Sequence, residues 1–359
     1  MRIGCLLPPD SFVWTKRGLL RVREIRGEDH VLGLDTRSNP CWMDIPHDCK
    51  QIDEGTILRI LTDVNEFCVQ ESSRIATLDG LRSAADIRPN DHIDIFNRAD
   101  GFRMVYESLL HRSPETIVFD GRREISLDPS IAYVLGTQIL AKRYEYKVVM
   151  NIGNQEHWTE LAAIFDSALR KAHMYGNVLY THMAGPRVVI DSVRFAQFVD
   201  QIFSDDMLPQ EIRTSSLDIL VEFYRGIMDS FLRSAEAGLA KLRVRDTMHE
   251  LRRFILFLGK MFQLVPFAIR HGSVTSRDSS TRLRETTLYF RVSDLSRLNL
   301  RNINLTYSTL PRLPELKKHY ARARIIRKFR KREIHLLQCS SIHAAPIVDL
   351  VSVYPKRES

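Results

Sequence analysis

Cysteine is scarce in this chain. There are five in 359 residues, Cys5, Cys41, Cys49, Cys68 and Cys339, and no two form a CxxC pair. That excludes a disulfide-stapled scaffold and argues against a structural zinc site. Long apolar runs are also lacking. No stretch reaches the ~18 consecutive apolar residues of a membrane-spanning helix. The opening Met1–Pro9 holds too short an apolar run for a secretory signal. A reducing, intracellular, cytoplasmic setting without membrane contact is therefore expected. What is present is ordinary globular material, 44% apolar and 27% charged. At ~100–200 residues per domain, the length accommodates two or three domains.

The net charge of +8 is unevenly placed. Residues 1–120 carry 15 Lys/Arg against 20 Asp/Glu, and the remainder carries 37 against 24. Between Arg312 and Arg332 stand ten basic side chains and one acid, Glu315. Such a stripe beside a near-neutral body is an electrostatic footprint for a polyanion, because each neutralised phosphate releases counterions. Lys317, Lys318, Arg322, Arg324, Arg327, Lys328, Arg330, Lys331 and Arg332 are the candidate contacts. The run is also helix-compatible, with Ile325, Ile326 and Phe329 spaced to face a core, so a solvated helix face is the plain alternative.

Patterning divides the chain. Residues 1–118 read as all-β, with short alternating pieces such as Phe12–Thr15, His30–Leu34 and Thr56–Leu61 between turns at Lys16-Arg17-Gly18 and Leu78-Asp79-Gly80. Residues 40–53 read as a loop or insertion. From 119 to 310 helices alternate with strands. Asp128-Pro129 starts a helix over 130–142, and further helices are expected over 156–172, 216–231 and 243–261. Strands are expected at 146–150, 187–190 and 286–292, and residues 271–284 read as a basic loop. The order recurs, which suggests a duplication with internal two-fold pseudo-symmetry. The basic segment 311–332 follows, and residues 333–359 hold strands that return to the β-domain.

Several stretches then carry a resemblance. Gly4-Cys5-Leu6-Leu7-Pro8-Pro9-Asp10-Ser11-Phe12-Val13-Trp14-Thr15 resembles the opening of an intein, a Hint-type splicing domain. Ser83–Ile93 and Ala345–Val353 are similar to later intein segments. The middle resembles a two-repeat LAGLIDADG homing endonuclease. Ala132-Tyr133-Val134-Leu135-Gly136 opens one motif, and Leu208–Ile212 with Phe223-Tyr224-Arg225-Gly226-Ile227-Met228-Asp229-Ser230-Phe231 forms the other. The resemblance implies an α+β chain: an all-β Hint-like domain interrupted by a pseudo-symmetric αββαββα domain.

It also implies chemistry that the residues no longer supply. Cys5 matches the splicing nucleophile, but the activating Thr-x-x-His falls on Gln70 and Ser73, and no terminal His-Asn pair is present. Metal-binding acids are expected at the ends of both motif helices, where hard Mg²⁺ seeks oxygen ligands. Those positions are Ala141, followed by Lys142, and Phe231. The expectation is an inactive, monomeric nucleic-acid binder without cofactor, leaning to structured RNA or a ribonucleoprotein over duplex DNA. Lys147, Arg187, Arg270, Arg277, Arg282, Arg284 and Arg291 are its further candidate contacts. The alternatives are a divergent Mg²⁺-dependent DNA endonuclease using Glu145 or Asp229, a self-processing protein using Cys5, and a scaffold for an acidic protein.

Overall fold

A computed structural model describes the chain apart from residues 1–3, 36, 48–49, 64, 97–98, 111, 142–143, 154, 183–184, 204–207, 235–237, 263, 276–281, 296–297, 302–319, 339–344, 350 and 355–359. It is a mixed α/β structure that divides into two units. The first comprises Met1–Leu109, Leu256–Val265 and Pro314–Ser359, and the second Leu110–Ile255 and Pro266–Leu313.

The first unit is built on one 13-stranded antiparallel network. Two stretches of it have matching hydrogen bonds. Thr15 Oγ1 donates to Gly18 O at 2.9 Å, and Thr77 Oγ1 to Gly80 O at 2.7 Å. Gly18 and Gly80 take φ of 115° and 104°, a region that glycine enters without steric cost. After each hairpin comes a short 3₁₀ turn, Val22–Glu24 or Ala84–Asp86. Next, a carboxylate accepts from a backbone N–H three residues earlier: Asp29 from Arg26 at 2.7 Å, and Asp91 from Arg88 at 2.8 Å. The strands Ala345–Val348 and Val351–Tyr354 pair with each other, and with His30–Leu34 and Arg74–Thr77 respectively.

Two expectations for this unit are corrected. Residues 40–53 are not a loop: Pro40–Asp44 pairs with His30–Leu34, and Lys50 opens the long strand Lys50–Thr62. Nor is the basic run helical. Tyr320–Gln338 is a single 19-residue strand, paired along most of its length with Lys50–Thr62 and at its end with Gly4–Leu7. Ala, Arg and Lys favour helix locally, but ladder pairing to a distant partner overrides that weak preference.

The second unit contains two halves. In the first, the helices and strands run Pro129–Gln138, Lys147–Asn151, Trp158–Lys171, Asn177–Thr181, Arg187–Asp191 and Val193–Ile202. Arg187–Asp191 is the central strand, flanked by Lys147–Asn151 and Asn177–Thr181. The second half runs Leu217–Phe231, Arg233–Ser234, Leu239–Arg245, His249–Met261, Ala268–Thr275, Arg282–Arg291 and Val292–Leu295, with the last residues of His249–Met261 assigned to the first unit. Its central strand, Arg282–Arg291, lies between Leu239–Arg245 and Ala268–Thr275. The second half thus has the order αββαββα. In the first half, the first strand of that order is reduced among the described residues to a bridge between Tyr144 and Lys147.

Helix Pro129–Gln138 starts where Asp128 accepts from Ser130 N at 2.9 Å, with Pro129 in its first turn. It packs against Leu217–Phe231 by a reciprocal close approach. A Cβ on Gly136 would lie 2.1 Å from Phe223 O and 3.1 Å from Ile227 N. One on Gly226 would lie 2.1 Å from Tyr133 O and 3.1 Å from Thr137 N. Only glycine lets the two backbones meet there. The helix ends at Gln138, four residues short of the sequence expectation. Residues 243–261 are also not one helix: Leu239–Arg245 is a strand, and the helix begins at His249.

Candidate nucleic-acid interface

The register of the second half's sheet sorts its charges. In Leu239–Arg245, Ala240, Leu242 and Val244 are buried, while Lys241 is half-buried and Arg243 and Arg245 are exposed. Across the ladder Lys241 faces Tyr289, Arg243 faces Thr287 and Arg245 faces Glu285. On the other side of the central strand Ala268 faces Tyr289 and Arg270 faces Thr287. Directly paired residues share a face of the sheet, and alternate residues along a strand return to it. Lys241, Arg243, Arg245, Arg270 and Arg291 therefore stand on one face, with Glu285 as the acid among their ladder partners. None of these five cations forms an ion pair among the described residues. Elsewhere arginines are paired, as in Arg17–Asp29 at 2.5 Å, Arg59–Glu66 at 2.6 Å and Arg301–Glu222 at 2.9 Å.

Two of the five lie against aromatic rings instead. The Arg270 guanidinium carbon is 5.3 Å from the Tyr289 ring centre, and that of Arg291 is 5.1 Å from the Phe267 ring centre. The opposite face is anchored by a buried polar cluster. Thr286 Oγ1 donates to Asp246 at 2.9 Å, the buried Arg252 reaches both Thr286 and Asp246, and His271 Nδ1 lies 2.9 Å from the same hydroxyl.

In the first half, the corresponding outer face is different. Lys147 faces Asp191, which faces Asn177; Val149, Val189 and Leu179 make the next row, and Asn151, Arg187 and Thr181 the third. Lys147 sits 5.0 Å from the Tyr146 ring centre, and Arg187 Nε is buried without a hydrogen-bond partner among the described residues.

Of the sequence candidates, Arg270 and Arg291 fall on the basic face and Lys147 and Arg187 on the sparser one. Arg282 and Arg284 lie in a strand, not a loop, at register positions that alternate with that face: they share parity with the buried Thr286, Leu288 and Phe290. Arg277, Lys317 and Lys318 lie outside the described residues. Arg322, Arg324, Arg327, Lys328, Arg330, Lys331 and Arg332 all belong to the strand Tyr320–Gln338. Arg327 and Lys328 are exposed; Arg327 sits opposite Arg59, and Lys328 donates to Glu71 at 2.6 Å. Lys241, Arg243 and Arg245 were not anticipated, although the alternation Ala240-Lys241-Leu242-Arg243-Val244-Arg245 is a period-two signal.

The positions expected to have lost chemistry can be placed too. Ala141 follows the first motif helix, and Phe231 is the last residue of the second. Neither side chain offers an oxygen to Mg²⁺, so these ends do not fit that ion. Asp229 is fully buried and engaged: it accepts from the Tyr133 hydroxyl at 2.8 Å and from Arg301 N at 2.9 Å. Burial, reinforced by the Asp229 charge and hydrogen bond, pushes the Tyr133 hydroxyl well above its ordinary pKa. Arg301 also reaches Glu222 at 2.9 Å and Glu160 at 2.8 Å and lies over the Tyr133 ring. Glu145 is exposed. In the first unit, Cys5 is buried with Sγ 3.3 Å from Val353 O, and Ser73 is buried, its N–H bonded to Gln70 O.

No family model and no curated protein matches the chain. Among solved structures, it is similar to I-DmoI in complex with DNA and Mn, at 11% identity and a TM-score of 0.33, over 50% of this chain and 98% of that one. Mesophilic variants of the homing endonuclease I-DmoI match at the same identity and score, over 48% and 94%. The DnaX mini-intein from Spirulina platensis matches at 22% identity and a TM-score of 0.23, over 25% of this chain and 66% of that one.

Proposed function

We propose that this chain is a nucleic-acid-binding protein of intein and homing-endonuclease ancestry that neither splices nor cleaves, and that acts by occupying its target. Structured RNA or a ribonucleoprotein is favoured over duplex DNA. The observation that carries the reading is the outer face of the second half's sheet, where Lys241, Arg243, Arg245, Arg270 and Arg291 converge with Glu285 as the single acid among their ladder partners and with no ion pair among the described residues. A face evolved only for solvation would be laced with alternating charge; this one is held ready for phosphates. The matching element orders and the reciprocal Gly136–Gly226 approach support a two-fold pseudo-symmetric unit, which needs no second chain. Loss of cleavage is supported by Ala141, Phe231 and the engagement of Asp229, and loss of splicing by Gln70 and Ser73.

The test is fluorescence anisotropy with structured RNA and duplex DNA, using the wild type and a variant in which the five cations are replaced by glutamine. Salt-sensitive binding lost in the variant is expected. Equal affinity of the two proteins would sink the reading. Mg²⁺-dependent cleavage that disappears in an Asp229→Asn, Glu145→Gln double variant would restore the endonuclease alternative. A partner that survives nuclease treatment of a native preparation would favour the protein scaffold.

A further inference from the structure

We infer that the basic face takes unpaired nucleotides of a single strand and stacks their bases on its aromatic and guanidinium planes. The inference rests on the nucleic-acid reading above and names the polymer form that this surface suits. Phosphate recognition alone needs cations and no rings. Here Phe267 is 41% exposed, and its N–H donates to Tyr289 O at 2.6 Å, so that two aromatic residues and two stacking arginines share one patch. In a duplex the base faces are occupied by their neighbours, and a ring on the protein has nothing to stack on. In a single strand every base has a free face for an aromatic side chain or a guanidinium plane.

The spacing agrees. Tyr289 and Arg291 are two residues apart on one strand, hence ~7 Å apart at ~3.4 Å rise per residue. Stacked bases in a duplex repeat every ~3.4 Å along each strand. Two stacking positions at twice that distance suit an extended chain with its bases splayed. Lys241, Arg243 and Arg245, on the next strand of the same face, form a parallel track of charge for its phosphates.

The experiment compares short mixed-sequence single-stranded RNA, single-stranded DNA of the same sequence and their duplexes. The proteins are the wild type, Phe267→Ala, Tyr289→Ala and the ring-preserving Phe267→Trp and Tyr289→Phe. Thermal unfolding of each confirms that it folds. We expect at least one single strand to bind more tightly than its duplex. Each alanine variant should lose roughly 5- to 100-fold in single-strand affinity and markedly less in duplex affinity, and the ring-preserving variants should restore it. The two single-strand arms report whether the 2′-hydroxyl is read, and a preference for either supports the inference. Duplex binding as tight as or tighter than both single strands, or alanine variants without effect, would overturn it while leaving a nucleic-acid-binding protein. Absence of binding to these oligonucleotides would overturn this inference, and absence of binding to the structured RNA of the anisotropy test as well would overturn both readings.

Discussion

The two halves of the second unit agree at their seam and disagree on their faces. At the seam, each motif helix offers a glycine to the carbonyl of the other, with the same would-be clash of 2.1 Å on both sides. The strand order around each central strand also matches. On the outer faces they differ in the density of charge. One carries five cations without an ion pair among the described residues, two of them against the rings of Tyr289 and Phe267; the other carries Lys147, against the Tyr146 ring and opposite Asp191, and Arg187, among Val149, Val189, Leu179 and uncharged polar residues. Packing geometry is constrained from both sides of a contact and cannot drift alone. A solvent-facing residue is constrained only by what it binds. Under the proposed reading, the asymmetry assigns binding to the second half and leaves the first as its support.

That contrast can be broken most strongly by charge. Five phosphate contacts give a salt slope near −4.5, so wild-type affinity should fall roughly 500-fold between about 50 and 200 mM salt. The variant lacking Lys241, Arg243, Arg245, Arg270 and Arg291 should show a nearly flat line in the same titration. The seam comes next. Gly136→Ala or Gly226→Ala forces a methyl onto a backbone carbonyl and should cost about 3 kcal/mol in urea unfolding. The two effects should not add, because both relieve through the same shift. Equal costs would confirm that the seam is shared; a tolerated alanine on one side would show that it is not. Tyr133→Phe removes a donor to the buried Asp229 and should cost about 2 kcal/mol. The smallest effect is expected from Lys147→Gln with Arg187→Gln, which should change the salt slope by less than about 1. A larger change would erase the asymmetry.

Much of this architecture could be read from the residues, and the failures have specific causes. The turns at Gly18 and Gly80 and the start at Asp128-Pro129 were legible because each depends on chemistry within a few residues. The close glycines Gly136 and Gly226 were legible only through the resemblance of their segments to the LAGLIDADG motifs. The helical period of His249–Met261, extended backwards to Arg243, hides Arg243 and Arg245, and Lys241 falls in the stretch just before it to which no element is assigned. The basic run departs from expectation for the opposite reason. Its residues favour helix locally, and the information that makes it a strand resides in Lys50–Thr62, far away in the sequence. No local pattern reports a partner at that distance. The convergence of Arg270 and Arg291 with the missed cations is likewise a property of register, which emerges only once the ladder is laid down.

The pairing of Gly4 with Gln338 and of Leu7 with His335 also sets a timetable for the chain on the ribosome. At ~5–20 residues per second, the first strand waits roughly 20–60 s after its own synthesis for the strand that completes it. Throughout that interval Gly4–Leu7 and much of Lys50–Thr62 lack their ladder partner, and unpaired strand edges are what nascent chains aggregate through. The second unit's first half, by contrast, is contiguous from residue 110 and has every strand it needs by Asp191. It can fold while the β-network is still open, so in vivo yield should depend on chaperones that cover strand edges far more than on those that assist helices.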